Sequence, residues 1–145
     1  MQISTTVYCN TANLVTLRAF LQKHLHSLLV PEDQIYLMVL AMDEVCSNLI
    51  IHTHQCDPTK SFNITLKSDP ISNHKVVFEI EDGGPYFNLH EHTSASMTQV
   101  VDNKQRGGMG LILVREIMDE VVIEQSNCTN IYRMSKQITR SQATV

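Results

Sequence analysis

The chain has 145 residues, 43% of them hydrophobic, and a net charge of −4 from 11 basic and 15 acidic residues. This length suits one domain with its own core, the composition excludes a disordered tail, and the acidic balance argues against a nucleic-acid surface. The cysteines at 9, 46, 56 and 128 show neither a metal-ligand spacing nor a disulfide framework, which suits a reducing cytoplasm; the polar stretch Met1 to Asn10 predicts no signal peptide, and no run reads as a membrane span.

Ile3 to Tyr8, with Thr5, Thr6 and Val7, reads as a short strand. Asn10 or Thr11 then caps a helix on which Leu14, Leu17, Leu21, Leu25 and Leu28 recur at helical spacing. Pro31, followed by Glu32 and Asp33, marks a second helix start. Ile35, Met38, Met42, Val45 and Leu49 give that helix an apolar stripe and carry it to about His52. Thr53 to Lys60 is a polar connection. Ser61 to Ser68 alternates Phe62, Ile64 and Leu66, and Lys75 to Glu81 holds Val76, Val77, Phe78 and Ile80; the polar turn between them predicts a hairpin. Asp82-Gly83-Gly84-Pro85 ends the second strand abruptly.

Asn88 to Gln105 lacks apolar periodicity, and so long a loop in a compact domain reads as a lid or a binding loop. Gly107-Gly108-Met109-Gly110 opens a helix through Leu111, Ile112, Val114, Ile117 and Met118. Val121 to Ile123 begins a strand, and Ile131 to Lys136 is the last. One domain is expected over residues 1–138, with a frayed tail over 139–145. The order predicts an α/β (α+β) two-layer sandwich, with a mixed, mostly antiparallel sheet and helices on one face. It is not the regular alternation of a dinucleotide-binding domain.

Three clusters carry chemistry. Glu44, Asn48 and His52 stand at i, i+4 and i+8, which places them on one stripe of one helix. An Asn amide oxygen is a hard ligand suited to Mg²⁺, and a carboxylate one turn away can orient or deprotonate a nucleophile. The same residues also fit a solvated helix face. Asp82 ends an apolar strand ahead of glycines, where a carboxylate can accept from an exocyclic amine such as that of adenine and Gly84 lets a base approach the backbone. Asp-Gly is equally a plain turn. Arg106-Gly107-Gly108-Met109-Gly110 exposes backbone N–H groups at a helix start, with Arg106 within reach of a terminal phosphate. It is not a Walker A loop, since no Gly-Lys-Ser/Thr follows. Of the remaining features, His90 and His92 have a chelating spacing in a loop but no further ligand nearby. Ser4, Ser47 and Ser61 lack a triad context.

Together and in this order, the clusters resemble the GHKL (Bergerat-fold) ATPase superfamily. Met42 to His52 looks like the N box, Ile80 to Phe87 like the G1 box and Gly107 to Val121 like the G2 box. The last is similar to the anti-sigma serine/threonine kinase branch, in which a glycine turn leads into an apolar helix ending in Met-Asp-Glu-Val. The resemblance covers almost the whole chain. It implies that Asn48 is the Mg²⁺ ligand, Glu44 the general base and Asp82 the adenine acceptor, with Gly84 giving close approach. Gly107, Gly108, Met109 and Gly110 become the phosphate turn, Arg106 the γ-phosphate contact, and Leu89 to Gln105 the ATP lid.

The departures are specific. Tyr86 stands where many members have a second glycine, Asn88 replaces an Asp, and the N box continues as Thr53-His54-Gln55 rather than with small or aromatic residues. The chain shows no helix pair with a phospho-accepting His and no transducer domain, which points to the anti-sigma branch. The resemblance therefore implies a cytoplasmic, Mg-ATP-dependent serine/threonine protein kinase. Its partners would be a STAS-type anti-anti-sigma substrate, a sequestered sigma factor or other regulated protein, and a second copy of itself, with no direct nucleic-acid or membrane contact. A non-catalytic ATP-binding partner-switching module is the alternative.

Overall fold

Period-two alternation in the strands and helical stripes in the helices divide this sequence into two layers. The computed structural model describes residues 1–68, 74–83, 108–126 and 129–138. Strands β1 (Gln2–Tyr8), β2 (Ser61–Ser68), β3 (Lys75–Asp82), β4 (Glu120–Ser126) and β5 (Thr129–Gln137) form one sheet in the order β1-β2-β3-β5-β4. All four ladders are antiparallel, so the expected predominance of antiparallel pairing holds, with no parallel pair among the described residues. Helices α1 (Asn13–Ser27), α2 (Glu32–Asn48) and α3 (Gly108–Ile117) make the second layer, with α2 packed between the other two.

The sequence explains which sheet face the helices cover. On β2, Phe62, Ile64 and Leu66 are buried; on β3, Val76, Phe78 and Ile80; on β5, Tyr132 and Met134. These sit at every second position and so share one face. The alternate residues carry charge: Glu79 receives Lys67 at 2.8 Å and Arg133 at 2.6 Å, and Arg133 also reaches Glu124 at 2.6 Å. Those pairs hold Glu79 below the usual carboxylate range, first through the Lys67 hydrogen bond. A sheet with one apolar and one charged face needs helices on one side only.

The helix caps differ from expectation in detail. Asn10 Oδ1 accepts from the Ala12 N–H at 2.9 Å, so Asn10 serves the start of α1 although Ala12 is the cap residue. Helix α2 buries Ile35, Met38, Met42 and Val45 as its stripe requires, but it stops at Asn48. A π-helical turn, Leu49–Thr53, follows, and two successive non-glycine residues in left-handed conformation, Gln55 (φ 52°) and Cys56 (φ 59°), end the run. The His54 N–H closes on the Leu49 carbonyl and the Cys56 N–H on that of Ile50.

By length and composition the continuous stretch Glu32–Thr53 would suffice to cross a membrane, contrary to the expectation that no run would. Over half of its apolar window is buried inside the fold, because it is the central helix against the sheet.

Side-chain volume in the core should dominate stability over surface pairing. Phe78 is fully buried, so Phe78→Ala should cost about 3–5 kcal/mol of unfolding free energy. Arg18 holds Asp43 at 2.7 Å from a half-exposed position, so Arg18→Ala should cost no more than about 1 kcal/mol. Urea titrations of both variants against wild type test this ranking.

Candidate functional site

The alternation that builds the core of β3 continues to its last residue. Asp82 follows Val76, Phe78 and Ile80 in period two, so its carboxylate lies on the helix-facing side, and the residue is 1% exposed. Its ladder neighbours are Phe62 on β2 and Asn130 on β5, the latter also buried. A buried carboxylate requires hydrogen-bonding partners. His54 is one: its Nε2 lies 2.6 Å from Asp82 Oδ1, with side-chain exposures of 7% and 0%. The direction of this bond depends on the imidazole tautomer; an Nε2–H would donate to an ionised Asp82.

The π turn delivers this ring. Along a regular α-helix His52 would complete the Glu44–Asn48 stripe; the wider turn instead leaves His52 exposed and brings His54 beneath the sheet end. Single π turns inside helices often accompany functional positions.

Asn48 is 4% exposed, which removes the reading of a solvated helix face. Its Nδ2 donates to the Glu44 carbonyl at 2.7 Å, which fixes the amide and assigns its oxygen to acceptor or ligand duty. Glu44 is half-buried. Burial, and after it the neighbouring Asp43 charge, raises its carboxyl above the ordinary value of 4.5. Asp43 itself turns to Arg18 on α1. A hard amide oxygen beside an elevated carboxyl fits the Mg²⁺-bound phosphates of a nucleotide, and Asp82 fits an exocyclic amine.

Thiol chemistry is not part of this set. Burial, reinforced by the charges of Asp82 and Asp57, pushes the Cys9 thiol up to about 11, and full burial raises Cys46 as well; both stay protonated at neutral pH and are poor nucleophiles.

The described structure thus places Glu44 and Asn48 on α2 and Asp82 at the end of β3. Gly108, Met109 and Gly110 form the first turn of α3, which packs against α2. Gly84, Arg106 and Gly107 lie outside the described residues, as do the lid segment 89–105, His90 and His92. Sequence reasoning missed His54 and Asn130. The signal available for His54 was its departure from the residues usual at that point of the N box. Asn130 had a cross-strand position opposite Asp82, legible only once the strand order was known.

A family model described as the histidine kinase-like ATPase domain matches residues 9–136. The chain is 26% identical over 96 residues to the serine-protein kinase RsbW of Bacillus licheniformis, a match spanning 63% of this chain but only 58% of that relative. It is 29% identical over 113 residues to the anti-sigma F factor of a Geobacillus strain, covering 77% and 75% of the two chains. Among solved structures, the RsbU and RsbW domains of a Mycobacterium tuberculosis protein share the fold with a TM-score of 0.69 at 16% identity, covering all of this chain and 34% of that one. The SiaB–SiaC complex of Pseudomonas aeruginosa matches with a TM-score of 0.61 at 9% identity, covering 94% and 89%.

The elevated Glu44 carboxyl has a consequence for stability. A folded state that holds a proton more tightly than the unfolded chain loses stability as pH rises from the unfolded value through the raised folded one. Glu44→Gln removes that titration. Between about pH 4 and about pH 7, the melting temperature of Glu44→Gln should therefore rise relative to wild type. A constant offset across thermal melts over this range would show that Glu44 titrates normally.

Proposed function

The chain belongs to the histidine kinase-like ATPase domain family, and we propose that it is a Mg-ATP-dependent serine/threonine protein kinase of the partner-switching type. The observation that carries this reading is the pair on α2: a carboxyl raised by burial at Glu44, one turn before an Asn48 amide oriented by the Glu44 carbonyl. The relatives named serine-protein kinase and anti-sigma F factor support it.

In this reading Asn48 Oδ1 would hold Mg²⁺, which when bound supplies charge neutralisation on the phosphates. Glu44 accepts the proton of an incoming Ser or Thr hydroxyl; its raised affinity for a proton makes it a better base than a solvated carboxylate. Asp82 takes the adenine amine, with Gly84 giving close approach. Arg106 and the backbone N–H groups of Gly107 to Gly110 balance charge on the transferring phosphoryl group. Positioning supplies most of the catalysis.

The substrate would be a small STAS-type anti-anti-sigma protein. The sequestered partner would be a sigma factor or another regulated protein, in the cytoplasm, with the kinase acting alone or as a homodimer. The second reading, a switch that binds ATP without transferring phosphate, draws on the modest identities of the relatives and on the departures at Tyr86 and Asn88.

Incubation with γ-labelled ATP, Mg²⁺ and a STAS-type protein should label a Ser or Thr of that protein. Glu44→Gln should retain Mg-ATP binding while transfer falls about 10²–10⁴-fold. Label transfer at the wild-type rate would remove Glu44 as base, and a wild type that labels nothing would favour the binding switch. Asn48→Ala should abolish the Mg²⁺ dependence of ATP affinity in titration calorimetry; identical metal dependence in both proteins would remove Asn48 as ligand.

A further inference from the structure

We propose that His54 is a positioning residue for base recognition: its Nε2–H on Asp82 Oδ1 fixes the plane of the carboxylate that takes the adenine amine. The inference rests on the reading of Asp82 given above and extends it to a residue that reading does not use. Four features of the structure support it.

The first is geometry. The contact is 2.6 Å between two side chains that are 7% and 0% exposed. The terminal torsion of an Asp side chain is broad and roughly two-fold, so a carboxylate presents a defined oxygen to a ligand only when something pins it. A carboxylate has about four acceptor sites, so the His54 bond orients the group without exhausting it.

The second is the backbone that carries the ring. His54 follows a π turn and precedes two left-handed non-glycine residues, Gln55 and Cys56. Each left-handed residue is held at a local cost, and His54, between the π turn and this pair, lies on Asp82, 28 residues further along the chain.

The third is the surroundings. Burial, and after it the charges of Asp82 and Asp57, raises the Cys9 thiol just past the end of β1. The Cys9 thiol stays neutral there, and Asp57 is engaged by the Thr59 hydroxyl and N–H at 2.7 and 3.0 Å. The Thr59 hydrogen bonds first, and the His54 ring after them, help to hold Asp57 below the usual carboxylate range, while the ring's own hydrogen bond goes to Asp82.

The fourth is register. Asp82 terminates β3 between Phe62 and Asn130. Two ladders hold its backbone, so the remaining freedom is that of the side chain, which His54 restrains.

A purely structural role for His54 predicts equal damage to the binding of every nucleotide; a positioning role predicts damage confined to the amine. Affinities of ATP and of purine riboside triphosphate, the same nucleotide without the 6-amino group, are measured by calorimetry for the full chain, His54→Gln and His54→Leu. Wild type should prefer ATP by about tenfold or more. His54→Gln, which keeps an N–H donor near the Nε2 position, should retain most of that preference. His54→Leu should reduce it to within about threefold while leaving the affinity for the amine-free nucleotide nearly unchanged. A His54→Leu protein with the wild-type preference overturns the inference and leaves Asp82 as the base reader. A wild type without any preference overturns the Asp82 reading and the inference with it. Should His54→Leu fail to fold, nitrogen-15 NMR of the wild-type imidazole decides: a proton on Nε2 with a larger shift on ATP than on the amine-free nucleotide is expected. A proton on Nδ1, or equal shifts, overturns the inference.

Discussion

A carboxylate buried on the helix-facing side of a central strand is the constraint around which this end of the molecule is arranged. Asp82 reaches that position by the same alternation that buries Val76, Phe78 and Ile80, so its burial follows from the strand rather than from a local turn. An uncompensated charge there would cost several kcal/mol. Compensation cannot come from the sheet alone, because a strand end has only lateral neighbours. One partner comes from the layer above, where the chain leaving α2 widens into a π turn and sets His54 on the carboxylate. The left-handed residues that follow let the chain reverse toward β2 after delivering the ring.

The sheet treats its two faces differently. On the solvent face, Glu79 is surrounded by Lys67 and Arg133 in a network open to water. Such pairs are individually weak, and they keep the face polar. On the helix face Asp82 meets the His54 imidazole with almost no solvent exposure of either side chain. Exchanging that pair for apolar residues of similar volume would be neutral or favourable for stability. A buried acid–imidazole pair in a fold that also holds a half-buried Glu44 and a buried Asn48 is consistent with the proposed ligand site.

Much of the fold was legible in the sequence, because the signals there were local. The stripe on α2, the alternation on β2 and β3 and the hairpin between them all came out as read. The two-layer arrangement followed from having one apolar sheet face. What was not legible depended on long-range pairing or on strain. Placing β5 between β3 and β4 puts Asn130 opposite Asp82, and no local pattern near residue 130 announces that neighbour. Helical periodicity carried α2 past Asn48 to His52 because a π turn has no sequence signature of its own. Glu44, Asn48 and Asp82 could be singled out by residue type and spacing; His54 could not, since its role depends on a contact made across the layers.

The division of labour between rigid elements follows from these placements. Asn48 and Glu44 sit on the central helix, held on both flanks by α1 and α3, while Asp82 sits in a strand with ladders on both sides. Sites built on packed helices and strands hold their geometry better than sites on loops. In the proposed reading, the separation between Asp82 at the amine-accepting end and the Glu44–Asn48 pair at the phosphate-facing end is set by the helix and sheet layers that share one core, to which Met42, Val45, Phe62 and Ile80 belong. A core substitution in that layer would move one end relative to the other without touching either. Affinity for adenosine alone and affinity for triphosphate alone would then survive, and the advantage of presenting both on one molecule would fall, because that advantage depends on the fixed spacing between the two ends.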